Sequence, residues 1–193
     1  MKQLKWLVVV LSLAFLLAGC SKPPEAEQQA AKSAMDAAIS AGADKYAAAD
    51  LDAAKKKLDE AEGYMKEKKY KEAKEAYIDA KAAFEKAAAG VEAGKKALAD
   101  EATSALATAE EQWGKLEAKA KQEARQMAKN QQDKEAWNSD SKAMSEGLAK
   151  VKETIATDPV GAKAKLEELK GMMNNWDNRF EEMAAAAQKP KKK

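Results

Sequence analysis

Apolar side chains return every third or fourth residue along nearly the whole chain, and nowhere do they alternate with polar ones over a sustained run. Ala47, Leu51, Ala54, Leu58, Ala61 and Met65 make one stripe; Tyr70, Ala73, Tyr77, Ala80, Phe84, Ala87 and Val91 make the next. A period near 3.6 places each set on one face of an α-helix, whereas a strand needs a period of two. The spacing therefore predicts an all-α protein, built as elongated antiparallel helical hairpins or a bundle with Ala-rich coiled-coil packing.

Helix boundaries follow from local chemistry. Glu25 to Ala41 reads as a first helix with Ala30, Ala34, Ala38 and Ala41 on one side, closed by Gly42. A second starts near Asp44. Gly63 and the run Lys66-Glu67-Lys68-Lys69 signal a turn, and a short connection makes the helices on either side antiparallel neighbours. Beyond Val91 the stripe continues through Leu98, Ala102, Leu106, Ala109, Trp113, Leu116 and Ala120 to Met127. Gly90 and Gly94 each cost about 1 kcal/mol against alanine inside a helix, so one rod from Tyr70 to Met127 and a kink at Ala89 to Gly94 both stand. Asn130 to Asp133 reads as a polar loop, followed by a helix carrying Trp137, Met144, Leu148, Val151 and Ile155. Thr157-Asp158-Pro159 sets an N-cap acid before a proline at the first helical position. The last helix then carries Leu166, Leu169, Met173, Trp176, Phe180 and Met183, and is expected to pack on the Trp137 helix and the Trp113 region.

Composition explains how such a chain folds on thin burial. Alanine supplies 45 of 193 residues, and beyond Gly19 only 16 are Leu, Ile, Val or Phe. That fraction falls below the ~20% associated with disorder, but the high net charge that completes the criterion is missing. Beyond Gly19 there are 32 basic and 32 acidic residues, a balance that argues against a nucleic-acid binder. Ala, Lys and Glu are all strong helix formers.

The first twenty residues follow another logic. Lys2 and Lys5 precede an apolar run from Leu7 to Ala18, too short to span a bilayer, and Leu17-Ala18-Gly19-Cys20 ends it with the chain's one cysteine. This pattern resembles the lipobox of bacterial lipoproteins. The resemblance implies cleavage after Gly19 and lipidation of Cys20 with a diacylglyceryl group and a palmitate-type N-acyl chain, and no other cofactor. Two or three acyl chains anchor stably where one holds marginally. By comparison with Gram-negative lipoproteins, Ser21 in place of aspartate implies sorting to the inner leaflet of the outer membrane, facing the periplasm.

A second resemblance rests on Leu51-Asp52-Ala53-Ala54-Lys55-Lys56-Lys57-Leu58, Tyr70-Lys71-Glu72-Ala73, Tyr77-Ile78-Asp79-Ala80 and Phe84-Glu85-Lys86-Ala87. Over residues 30 to 92 the chain is similar to an uncharacterised Ala-rich helical domain of Gram-negative lipoproteins and, more distantly, to a tetratricopeptide unit. That domain sometimes precedes an OmpA-like peptidoglycan-binding domain, which nothing after residue 92 resembles. The organisation read from the sequence is a signal peptide at 1–19, a lipidated tether at 20–29, an Ala-rich hairpin at 30–98, a second helical segment with a Trp-containing core at 99–187, and a Lys-rich tail at 188–193.

The residues speak against catalysis. With no histidine, and the cysteine committed to anchoring, Cys-His and Ser-His-Asp arrangements are excluded and the commonest metal ligands are missing. Carboxylate pairs such as Asp59 with Glu60 sit among lysines, as solvated ion pairs on exposed helices do. Trp113, Trp137 and Trp176 lie on apolar stripes and are expected to share a core, while Tyr64, Tyr70 and Tyr77 could mark a groove. The tail offers Lys189, Lys191, Lys192 and Lys193 to an anionic partner. Lys193 matches the terminal lysine that joins the major outer-membrane lipoprotein to peptidoglycan, a further resemblance. The sequence reading is thus a non-enzymatic spacer or scaffold of the cell envelope, held in the membrane by its lipid anchor and contacting peptidoglycan or an envelope protein. The alternative is a tetratricopeptide-like adaptor for an envelope assembly or secretion machine. Oligomeric state is open.

Overall fold

The structure, a computed structural model, describes residues 22–188. Among these residues every regular element is an α-helix: α1 (Glu25–Ser40), α2 (Ala43–Tyr46), α3 (Ala48–Lys66), α4 (Tyr70–Gln122), α5 (Ala124–Met127), α6 (Gln131–Thr154) and α7 (Pro159–Gln188). The all-α fold expected from the apolar period is what forms. Two compact units divide between Val91 and Glu92, with α4 contributing residues to each.

In the first unit α3 and α4 are antiparallel, with Lys86 bonded to Asp50 at 2.9 Å and Lys57 facing Asp79. The α1 helix runs alongside α4 in the same direction, since Glu27 pairs with Lys74 at 2.9 Å and Gln28 donates to Tyr77. Leu51, Ala54, Leu58 and Ala61 of α3 meet Ala73, Tyr77, Ala80, Phe84 and Ala87 of α4 in one buried cluster. Each large member, Tyr77, Phe84 or Leu51, contributes about 1.5–3 kcal/mol by leaving water. The α1 face differs from the one read in the sequence. Ala31 and Ala38 are the fully buried positions, Ala30 is only partly covered and Ala41 is exposed. Where alanines crowd every side of a helix, its partners select the buried line, and period alone does not.

Two chain reversals in this unit use left-handed residues. Gly42, at φ 93°, ends α1 with its N–H on the Ile39 carbonyl. The α3–α4 turn closes as a Schellman motif: Lys68 N–H donates to Met65 O and Lys69 N–H to Tyr64 O. Its left-handed position holds Lys68, at φ 58°, where glycine is usual. Gly63, read as part of the turn, lies inside α3, and the segment near Asp44 is a single turn, α2, broken from α3 at Ala47.

In the second unit α6 and α7 pack together through buried Met144, Leu148, Val151, Leu166, Leu169 and Met173, with Leu106 and Leu116 of α4 in the same core. Asp158 caps α7 as its sequence predicts, accepting from Gly161 N–H at 3.0 Å. Asn130 to Asp133 is not a loop. Asn130 is the N-cap of α6, accepting from Gln132 N–H at 3.1 Å and donating to Asp133 at 2.8 Å, so Gln131 to Asp133 form the first helical turn. Polar residues that look like a break are the partners an N-terminal turn requires. No break falls at Gly90 or Gly94, because α4 is one helix from Tyr70 to Gln122, and it stops short of the Met127 end that a single rod would have reached. Its interruption falls instead at Glu123, ahead of the short α5.

Candidate functional site

Every residue to which the sequence reading assigned a site lies outside the described residues: Gly19, Cys20 and Ser21 at one end, Lys189, Lys191, Lys192 and Lys193 at the other. What the structure places is their support. At the first end the chain enters through Pro23 and buried Pro24, whose carbonyls accept from Glu25 N–H at 2.9 Å and Gln28 N–H at 3.0 Å. At the second, α7 runs to Gln188.

Around the start of α1 three contacts tie the helix down. Glu27 meets Lys74, Gln28 Nε2 donates to the Tyr77 hydroxyl at 3.1 Å, and Lys32 faces Glu62 at 3.5 Å. The Lys74 hydrogen bond holds the Glu27 carboxyl below its ordinary value. Burial pushes the Tyr77 phenol up. Of the three tyrosines that could mark a groove, Tyr77 is wholly buried and serves the core. Tyr64 lines a shallow surface groove with Lys57, Glu60, Glu72, Glu75, Ala76 and Asp79, and its hydroxyl donates to Glu60 at 3.2 Å. That hydrogen bond raises the phenol's proton affinity.

In the second unit the three tryptophans share one cluster, as their stripe positions predict. Trp137 stacks on Trp113 at 6.0 Å and meets Trp176 and Phe180 edge-on at 5.1 and 5.0 Å. Such pairs add about 0.5–1.5 kcal/mol beyond their burial. Polar groups finish the cluster: Trp176 Nε1 donates to Asp140 at 2.9 Å, and Arg179 covers the Trp176 ring while pairing with Asp133. Sequence reasoning missed Asp133, a nearly buried acid. The Asn130-x-x-Asp133 spacing, an N-cap followed three residues on by an acceptor, was the available signal. The exposed edge of Trp137 borders a groove with Ala120, Ala124, Met127 and Ser141. Lys119 of α4 bridges Asp177 at 2.5 Å and Glu181 at 3.3 Å. Chiefly through the Asp177 hydrogen bond, its ammonium is held above the ordinary lysine value.

Among the described residues no three His, Cys, Asp or Glu side chains are grouped so as to hold a metal ion, and no helix is long and apolar enough to cross a membrane. These arrangements fasten helices together and leave polar surface outside.

Residues 26–100 match a family described as a domain of unknown function, DUF4398. The match takes in α1 to α3 and the first part of α4, the stretch that carries the Ala-rich repeats of Tyr, Lys and Glu. It supports the resemblance to an uncharacterised domain. No curated protein and no solved structure matches the chain.

Proposed function

We propose that this protein is an outer-membrane-anchored periplasmic lipoprotein that acts, without catalysis, as a spacer or scaffold of the cell envelope and contacts peptidoglycan. The observation that carries the reading is Leu17-Ala18-Gly19-Cys20 at the close of a basic and then apolar leader. A lipid on Cys20 would enter the folded part through Ser21 and Lys22 to Pro24, a short tether with little slack. Charge balance, a histidine-free sequence and ion-paired helix surfaces are the traits of a structural component. The Lys-rich tail supplies the cationic contact for an anionic wall polymer.

The test has two parts. In cells fed labelled palmitate, the native chain should take up label and fractionate with outer membranes, and Cys20→Ser should do neither. Purified protein should cosediment with peptidoglycan sacculi, and a chain ending at Gln188 should lose that binding. Labelling without sacculus binding by either chain would leave a lipoprotein whose partners are proteins, the adaptor alternative, for which the groove beside Trp137 is the surface to search.

A further inference from the structure

The start of α1, where the chain arrives from Cys20, and the α3–α4 turn share one end of the first unit. Glu27 is level with Lys74, and Gln28 with Tyr77. At about 1.5 Å per helical residue, Pro24 therefore stands beside the first turn of α4, and the Glu67 to Lys69 turn projects several ångströms beyond the start of α1. From Pro24, buried and hydrogen-bonded, to Cys20 the chain has four residues, at most about 14 Å even when fully extended. Acyl chains on Cys20 thus bring this turn to the membrane surface, within one or two screening lengths of about 8–10 Å.

The turn is basic. Lys66, Lys68, Lys69 and Lys71 are all exposed, and Lys22 joins them from the tether. Across the turn itself, residues 66–71, four lysines stand against the single acid Glu67, while Glu60, Glu62, Glu72 and Glu75 lie farther along α3 and α4. Among the described residues Lys69 is paired with Glu67 at 2.6 Å, whereas Lys66, Lys68 and Lys71 make no ion pair. Lys68 also occupies a left-handed backbone position that glycine would fill without strain.

We infer that the α3–α4 turn is a second membrane contact, in which Lys66, Lys68 and Lys71 lie against anionic phospholipid headgroups beside the acylated Cys20. The inference rests on the lipoprotein reading above and adds a fixed orientation to it. A single flexible anchor leaves the first unit free to tumble. A basic turn on the same side makes two contacts, stands α1, α3 and α4 away from the membrane, and strengthens with the anionic fraction of the leaflet.

The native acylated chain in vesicles tests this through the reactivity of its own lysines. Protein is reconstituted into phosphatidylcholine vesicles with and without equimolar phosphatidylglycerol, treated briefly with acetic anhydride, and mapped residue by residue by mass spectrometry. Phosphatidylglycerol should slow acetylation of Lys66, Lys68 and Lys71 at least threefold, leave Lys45 of α2 unchanged, and lose its effect in 0.5 M salt. Equal rates in both vesicles, or protection confined to Lys189 to Lys193, would overturn the turn contact while leaving the anchor intact. A chain that fails to float with pure phosphatidylcholine vesicles would instead refute the lipid anchor, and the turn contact with it. As a control, Lys66→Gln, Lys68→Gly and Lys71→Gln together should still float while Lys69 and Lys22 lose their lipid-dependent protection.

Discussion

Trp176 donates its indole N–H to the Asp140 carboxylate at 2.9 Å, which fixes the ring that Trp137 meets edge-on and Arg179 covers. Removing the acceptor leaves a donor on a ring that is only 4% exposed. Asp140→Ala should destabilise the protein by about 1–3 kcal/mol, and Trp176→Ala by about 3–5 kcal/mol through the cavity it opens. Unfolding followed by tryptophan fluorescence reads both. Equal stability of Asp140→Ala and native protein would show that water satisfies the indole as well as Asp140 does.

At Gly147 α6 packs closely on α7. A Cβ built there would fall 2.8 Å from Leu169 Cδ2, and Leu169 is itself fully buried. Overpacking of this kind costs about 1–3 kcal/mol, more than the ~1 kcal/mol an alanine gains in helix propensity. Gly147→Ala should therefore lower the melting temperature. Gly171→Ala and Gly114→Ala, whose new methyl groups meet nothing within 4 Å, should raise it. Thermal melts of the three variants by circular dichroism separate close packing from propensity.

Lys68→Gly should stabilise the first unit by about 1 kcal/mol, because glycine enters the left-handed position of the Schellman motif without strain. Denaturant titration reads the gain. Phosphatidylglycerol-dependent protection of Lys66 and Lys71 from acetylation should weaken in the same variant, so stability and membrane contact are expected to move in opposite directions.

Asp158→Ala should cost about 1 kcal/mol by removing the acceptor for Gly161 N–H at the start of α7, and Asp158→Asn should recover most of it. A full loss in the asparagine variant would assign the effect to charge near the helix N-terminus and not to the cap bond.

Two ion pairs contribute to the dependence of stability on pH. Glu27, below its ordinary value of 4.5 in the fold because of Lys74, contributes stability that is present above that value and lost as pH falls through its folded one. Lys119, raised above 10.5 chiefly by Asp177, contributes stability that is present below that value and lost as pH rises through its folded one. Glu27→Gln should make the acid-side loss shallower, and Lys119→Met the alkaline-side loss. Both pairs are solvent-exposed, so the changes will be small and will shrink in salt. Chemical unfolding at pH 3, 7 and 11 measures them.

Much of the fold was legible because a helix reports itself locally. Leu51, Ala54, Leu58 and Ala61 are buried as their spacing requires, the Trp113, Trp137 and Trp176 stripes converge, and Asp158-Pro159 begins α7. Errors arose where a partner decides. Asn130 to Asp133 is polar in isolation and forms a capped first turn, whose Asp133 is then covered by Arg179, 46 residues away. The buried line of α1 runs through Ala31 because α3 and α4 cover that side of it. Continuity at Gly90 is no local property either: about 1 kcal/mol of lost propensity is small beside the burial of Phe84, Ala87 and Val91 in the adjoining turns.

The sequence by itself determined the helical class, the stripes that become cores, the caps at Gly42 and Asp158, and the lipobox-like end at Cys20, since each is written in residues near one another along the chain. Only the tertiary structure decided that the α3–α4 turn lies beside the entry of the tether, that Asp133 meets Arg179, and that Gly147 must remain small. These are relations between residues far apart in the chain, and helix periodicity, which repeats alike on every helix, carries no record of which face meets which.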